Sequence, residues 1–548
     1  MDEERKSYAL GRKQILKIRL IEPKPSGVNV YDLVKMPRLG LPIIGTILRD
    51  AGHDVRTYCE ILAPVDWDDL LGSDLVGIST TTSTAPRGYR MAKRLAEAGI
   101  PVIMGGSHVT FLPDEALEYV PYVARGEGHR TMQELVAHLE GGEPALDGIL
   151  GLSYREGDRM IHNPARPPCG SEEFGELPIP DFGLVAGGDK MPVRSVMTQW
   201  GCPYSCDFCS VIQMFGRKVK SKAVDRVIEE LETTQPKFVF FCDDNFITDK
   251  KRAMDLLRRI QARGLRFSWS AQMRAETVFR NRKTKELDEE LLGLMRDTGC
   301  AMAYVGFESV NPETLKAYHK EQDVADIEAS IRAFHRYGIK VHGMFVLGAD
   351  QDTVQTVRET ANFALDNQID TVQFMLLQPL PGTPLYERVK AEGRILHDDW
   401  SLYDGHHAMV RVPNISPYQL QIEAYRAMKK FYSNWQFFKL LVGGVTLAAR
   451  DLWRPFWREP STRAALLGAL GAMLLPLRRR REGILLALRE RLGRKNWRVL
   501  EDNLWLPYLR SYGHKQVVKW QEELEACRYL EFLRGLEALP TINCPIKP

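Results

Sequence analysis

Three cysteines stand in one short stretch, Trp200-Gly201-Cys202-Pro203-Tyr204-Ser205-Cys206-Asp207-Phe208-Cys209, separated by three and then two residues. Three thiolates on a compact loop suit a single metal cluster. Structural zinc takes four closed ligands, and no fourth Cys or His follows within the usual few residues; Cys242 comes much later, at the end of a different expected strand. A [4Fe-4S] cluster held by three cysteines keeps one iron open to nitrogen and oxygen donors of a ligand. The alternative is three thiols that fall together by chance and pack as small hydrophobes.

The spacing C-x3-C-x2-C resembles the signature of the radical S-adenosylmethionine (SAM) superfamily. The resemblance implies a [4Fe-4S] cluster on Cys202, Cys206 and Cys209, whose open iron chelates the amino and carboxylate groups of SAM. It also implies that one electron cleaves the sulfonium to a 5'-deoxyadenosyl radical, which takes a hydrogen atom from the substrate. Phe208, the aromatic residue before the last cysteine, would lie by the adenine. The cofactor carries such chemistry and the protein orients it.

A strand over Ser195 to Gln199 should lead into the cysteine loop. Beyond it, strands at Lys237 to Cys242, Arg266 to Gln272, Ala301 to Phe307, Lys340 to Leu347 and Thr371 to Gln378 alternate with five helices. That rhythm predicts a partial parallel (β/α)6 barrel within residues 191–400, with chemistry where its strands end. The polar residues fall there: Asp243 and Asp244, then Ser270, Gln272 and Arg274, then Glu308. A carboxylate can accept from an ammonium group, or can cap the next helix. Arg274 offers a two-pronged donor face for a carboxylate, or a surface ion pair. A charge at the end of an apolar strand, as at Glu308, seldom serves packing. The resemblance places Asp243 and Asp244 where many members carry G-G-E against the methionyl amine. It matches Gly306-Phe307-Glu308-Ser309 to the G-x-E-S element that contacts SAM. It further implies that Gly348 admits the adenosyl group and that Gln378 faces the pocket.

Residues 1–150 read as a separate unit. Strands from Ile15, His53, Leu75 and Pro101 alternate with helices, which predicts a doubly wound, Rossmann-like parallel sheet. Ligands of such sheets bind beyond the carboxyl ends of the strands. Those ends carry Ser79, Thr80 and Thr81, then Gly105, Gly106 and His108, then Gly126 and Glu127, mostly small residues that let a bulky ligand approach the backbone. The G-x-G-x-x-G fingerprint of NAD binding is missing. With the cysteine motif downstream, Pro37 to Pro42, Gly52-His53-Asp54-Val55, Gly105 to His108 and Gly126-Glu127-Gly128 resemble in kind and order the cobalamin-binding domain that precedes many radical SAM barrels. The D-x-H-x-x-G motif that gives cobalt a histidine is absent, so the resemblance implies base-off cobalamin without that ligand. His53 reads as the end of a helix-to-strand turn and His108 as part of the loop near the corrin.

Residues 151–190 read as a hairpin followed by a stiff, proline-bearing connector, with Cys169 facing solvent. Residues 401–548 read as helical and as the region that selects the substrate. Ser416 to Trp435 has helical spacing. Leu440 to Leu447 and Ala464 to Leu477 are short and apolar, near Trp453, Phe456, Trp457, Trp497 and the run Arg478 to Arg481. That composition fits peripheral contact with a membrane, or packing on the barrel's open side.

The chain of 548 residues is 44% hydrophobic and 26% charged, enough for several domains. Its net charge of +3 is too small to argue for nucleic acid. The charged N-terminus lacks a signal's apolar core, and nine cysteines, three of them clustered, do not form a disulfide framework. Both features point to the cytoplasm, with peripheral contact at the inner membrane face if the C-terminal helices touch lipid. Together the motifs resemble the cobalamin-dependent radical SAM branch that holds the hopanoid methylases and the anaerobic magnesium-protoporphyrin ester cyclase. The resemblance implies a C-methyltransferase acting on an unactivated carbon of a hydrophobic, lipid-like small molecule, through methylcobalamin, with flavodoxin or ferredoxin as electron donor. An oxidative cyclase or coupling enzyme that uses cobalamin without methyl transfer is the alternative.

Overall fold

The computed structural model describes residues 15–27, 35–320, 322–436, 510, 513–526 and 528–538. Two sheets dominate it. The first contains β1 (Lys17–Glu22), β2 (Asp54–Cys59), β3 (Leu75–Ser79), β4 (Val102–Gly105), β5 (Tyr122–Ala124), β6 (Leu152–Glu156) and β7 (Arg159–His162). Their spatial order is β2-β1-β3-β4-β5-β6-β7. The first five are parallel, with helices Gly40–Asp50 and Ala85–Glu97 among their crossovers, and helix Gly128–Leu139 follows the fifth. Strands such as Leu75-Val76-Gly77-Ile78 are apolar without alternation because helices cover both faces of such a sheet. Two separate apolar clusters accordingly flank it.

The second sheet is the partial barrel: β8 (Arg194–Val196), β9 (Phe238–Phe241), β10 (Ser268–Met273), β11 (Cys300–Glu308), β12 (Lys340–Leu347) and β13 (Thr371–Leu376). All neighbours pair in parallel and in chain order, and β8 and β13 do not meet. A ladder of rings that includes Phe241, Trp269, Phe307, Phe345 and Phe374 fills the space between this sheet and its outer helices. The open edge at β13 is blunted: Tyr432, just after helix Pro417–Phe431, donates its hydroxyl to Val372 O (2.7 Å) and accepts from Val372 N (2.9 Å). Arg510 lies beneath, donating to the carbonyls of Ile369, Asp370 and Phe431.

The connector departs from expectation. The hairpin β6–β7 is no linker, because β6 pairs with β5 and extends the first sheet. The following segment is not a free spacer either. It forms helix Ser171–Glu176, and Cys169, expected in solvent, is buried. Cys169, Phe174, Leu177, Phe182 and Val185 pack with Leu39, Ile43 and Cys59 of the first domain and Met197 of the barrel. The physical reason is local: Phe174 and Leu177 lie on one face of a single helical turn, which puts apolar surface toward both domains. The stretches Leu440 to Leu447 and Ala464 to Leu477, with their tryptophans and arginines, lie outside the described residues. Among the described residues no helix is long and apolar enough to cross a membrane.

Candidate active site between the two sheets

The cysteine loop springs from a two-stranded ribbon in which Gln199 and Trp200 pair antiparallel with Ser221 and Lys220. Gly201 turns the chain out of this ribbon at φ 89°, and a Cβ there would sit 3.0 Å from Lys218 O and 3.2 Å from Gly216 O, so only glycine fits. Both acids after β9 hold the root of the loop. Asp243 is fully buried; its Oδ1 accepts from Thr198 N (2.7 Å) and Gln199 N (3.2 Å) and its Oδ2 from Thr198 Oγ1 (2.6 Å). Asp244 Oδ2 accepts from Gly201 N (3.1 Å). Burial pushes both carboxyls up to about 6. Farther along the loop, Asp207 accepts from Leu385 N and takes an ion pair from Arg388 (3.0 Å), tying the loop to helix Pro384–Ala391.

Burial raises all three thiols above their ordinary range, Cys209 to about 12, and each of Cys206 and Cys209 feels the charge of its neighbours in the set. Thiols held protonated by burial surrender their protons to a metal that compensates the charge.

Charged side chains converge on the loop from neighbouring strand ends. The field at Cys206 is set, after burial, by Lys320, Glu308 and Arg274. Glu308 stands at φ 63°, unusual for a residue other than glycine, and pairs with Lys320 (2.7 Å). Arg274 pairs with Glu276 and lies 3.7 Å over the ring of Tyr204. Phe208 meets Tyr318 edge-on at 4.9 Å. Around these residues Asp207 Oδ1, Arg274 Nη2, Tyr318 OH and Gln322 Oε1 are buried without a hydrogen-bond partner. Proteins satisfy most buried polar atoms. Such a group of orphans matches a polar, zwitterionic ligand such as SAM.

Between the two sheets lies a cavity of about 580 Å³. Its floor is made by strand ends of the first sheet: Ser79, Thr81, Gly105, Gly106, Gly126 and Glu127. Its roof is the barrel side, with Trp200, Met214, Phe215, Phe240, Asp244 and Gln272. A branch descends into the first sheet beside Gly77, where a Cβ would come within 2.8 Å of Leu20 Cδ2 and close to Ile103 and Met132. Leu20, Gly77, Ile103 and Met132 all line this branch, and a cavity that reaches from the strand ends down into the sheet fits a ligand that, like cobalamin, has a bulky head above the strands and a tail between them.

The expected residues are not all brought to this space. Ser79, Thr81, Gly105, Gly106, Gly126 and Glu127 line it; Thr80 and His108 do not. Thr80 is fully buried beneath the floor. His108 turns away, its Nε2 bonded to Glu115 Oε1 (3.2 Å) and its ring 5.1 Å from that of Trp400. His53 accepts from Leu16 N and serves the local turn. On the barrel side Asp244 and Gln272 line the cavity, whereas the oxygens of Asp243 are committed to main chain and Thr198. Ser270, half-buried on β10, is absent from the cavity wall. Gly348 is absent from the cavity wall, and Leu420 Cδ2 stands 2.9 Å from where its Cβ would sit. Gln378 is buried, donating to Leu376 O (3.1 Å) and His407 O (2.8 Å). Lys320 and Cys242 escaped sequence reading. Nothing in the sequence around Lys320 marks it, and Cys242, just after β9, lines the cavity.

A doubly wound sheet facing a partial barrel across one cavity, with a three-cysteine loop on the barrel side, defines an enzyme built for two cofactors. The Radical SAM superfamily model matches residues 196–364 and the B12 binding domain model residues 27–136. An uncharacterized methyltransferase of Pyrococcus horikoshii is 32% identical over 439 residues, covering 76% of this chain and 93% of that protein. The hopanoid C-2 methylase of Rhodopseudomonas palustris is 31% identical over 374 residues, 66% of each chain. Among solved structures, the cobalamin-dependent radical SAM enzyme OxsB, with aqua-cobalamin and SAM bound, is similar at a TM-score of 0.61 and 17% identity, covering 96% of this chain and 80% of that one. The chain belongs to the cobalamin-binding radical SAM family, and its cofactors are a [4Fe-4S] cluster, SAM and cobalamin.

Proposed function

We propose that this enzyme methylates an unactivated carbon of an apolar small molecule. The observation that carries the reading is the single cavity reached from both sets of strand ends, which lets a group pass between two cofactors without leaving the protein. When bound, the cluster and SAM supply a 5'-deoxyadenosyl radical and the corrin carries the methyl group. Cys202, Cys206 and Cys209 would hold the cluster. Glu308 and Lys320, beside Cys206, would bind the amino and carboxylate ends of SAM, with Arg274 as the neighbouring cation and Phe208 against the adenine. Asp243 would act at one remove, by fixing the loop root. The floor residues Ser79, Thr81, Gly105, Gly106, Gly126 and Glu127 would seat the corrin, and Gly77 its tail.

The remaining wall is mainly apolar, with Leu39, Ile43, Ile61, Met197, Met214 and Phe215. Such a surface favours a hydrophobic substrate and keeps water from the radical. Radical SAM chemistry requires a reductant, for which a flavodoxin or ferredoxin is suited. A cytoplasmic setting agrees with the oxygen sensitivity of the cluster, and contact with the membrane face would give access to lipid-like substrates. The test is mass spectrometry of products formed anaerobically from a lipid extract with reductant, cobalamin and SAM. A product heavier by one CH2 supports methylation. A product lighter by two hydrogens refutes it in favour of oxidative cyclisation or coupling.

A further inference from the structure

Glu127 opens helix Gly128–Leu139 at the capping position, yet its side chain does not cap that helix. It crosses to the barrel instead. Its Oε1 accepts from Lys220 Nζ and its Oε2 from Cys169 N (2.8 Å), so both oxygens are used. The two charged side chains are only 4% and 5% exposed. Three segments therefore meet at one carboxylate: the cavity floor, the connector, and the ribbon from which the cysteine loop springs. Lys220 stands directly opposite Trp200 in that ribbon, two residues before Cys202. Trp200 is itself held by Phe215, stacked at 5.3 Å, and Phe174 at 4.8 Å. Glu127 is thus linked to the loop of the first cluster cysteine through one ion pair and one ladder register.

A buried ion pair is poor at adding stability, since apolar residues of the same size hold a seam as well. The seam around Phe174 already does so. What a pair with both carboxylate oxygens committed adds is a fixed distance and register. We propose that Glu127 and Lys220 are positioning residues that set the cluster loop against the cobalamin-binding floor. The proposal rests on the two cofactors alone and not on methyl transfer. Chemistry between two bound groups is sensitive to such placement, with ~1 Å of error costing on the order of a hundredfold.

The experiment uses the reconstituted full chain with cobalamin and cluster, and needs no substrate. Lys220 is not part of the cavity wall, so Lys220→Met tests placement without removing a cofactor contact. The readout is how strongly the dithionite-reduced cluster speeds spin relaxation of bound cob(II)alamin, measured by power saturation in electron paramagnetic resonance, which falls steeply with separation. Lys220→Met is expected to keep its iron, its cobalamin and dithionite-driven 5'-deoxyadenosine formation from SAM, while the relaxation enhancement drops severalfold. Lys220→Arg should retain most of the enhancement. Full enhancement in Lys220→Met overturns the proposal. So does loss of both cofactors in Lys220→Met and Lys220→Arg alike, which marks a general folding role. Should Lys220→Met fail to fold, Lys220→Gln keeps a polar group of similar length without the charge, and an unchanged enhancement there overturns the proposal equally.

Discussion

Gly77 offers a direct test of whether the branch beneath the cavity floor holds ligand. A Cβ added there meets a movable methyl, Leu20 Cδ2, at 2.8 Å, with Met132 and Ile103 at ordinary contact distance. Gly77→Ala therefore needs only a small shift of Leu20 and should fold with little loss. Gly77→Val must overpack the sheet, at about 1 to 3 kcal/mol. It also fills space that a ligand tail would use. Displacing the contact of about two methylenes, at ~0.8 kcal/mol each, removes about 1.6 kcal/mol of binding, which is more than tenfold in Kd. Anaerobic titration with hydroxocobalamin, followed by visible absorbance, measures that loss; urea melts measure the folding cost separately. Iron content and SAM cleavage should stay at wild-type levels, because the cysteine loop stands on the other side of the cavity. Wild-type cobalamin affinity in a folded Gly77→Val protein refutes the assignment of the branch.

Cys206→Ala should lose the iron-sulfur absorbance and reduce 5'-deoxyadenosine to background while still binding cobalamin; turnover in that variant contradicts the cluster assignment. Lys320→Met leaves Glu308 without its charged partner, and loss of a charge-assisted bond of about 1.5 to 3 kcal/mol should raise the SAM concentration for half-maximal cleavage roughly ten- to a hundredfold, with iron content unchanged. Asp243 ionises near 6 in the folded chain, against about 3.9 for a free carboxyl. The folded state thus holds this proton to higher pH than the unfolded one, so the group's contribution to stability is full below about pH 4 and is lost as pH rises through about 6. The two units amount to about 3 kcal/mol, and Asp243→Asn should remove that dependence, leaving the similar one from Asp244, in urea midpoints compared between pH 4 and 7.

The parts of this molecule that repeat along the chain were legible in it. Strand-helix alternation places all six barrel strands and four of the five parallel strands of the first sheet, because each is a short apolar run followed by a helix; β5, only three residues long, carries too little pattern to show. The cluster ligands were equally plain, since their spacing alone carries the chemistry. Less legible was what depends on contacts between distant segments. Thr80 and His108 stand in the right loops, but only the packing of Trp400 and Glu115 decides that His108 points away from the cavity. Gly348 reads as room for a ligand, whereas its neighbour Leu420 comes from a helix far along the chain. Nothing in the sequence around Lys220 marks it, and its burial follows from Glu127 crossing over from another domain. The connector misled for a related reason: prolines suggest stiffness, while the two apolar side chains that dock it sit on one helical turn too short to register as a helix.

The buried connector also bears on how a large vitamin gets in. Parting the domains would put Cys169, Phe174, Leu177, Phe182 and Met197 into water and would strip Glu127 of its counter-ion, so the interface resists opening once made. Loading then competes with closure during maturation, and a host cell starved of cobalamin should yield protein that takes up the vitamin slowly or incompletely afterwards.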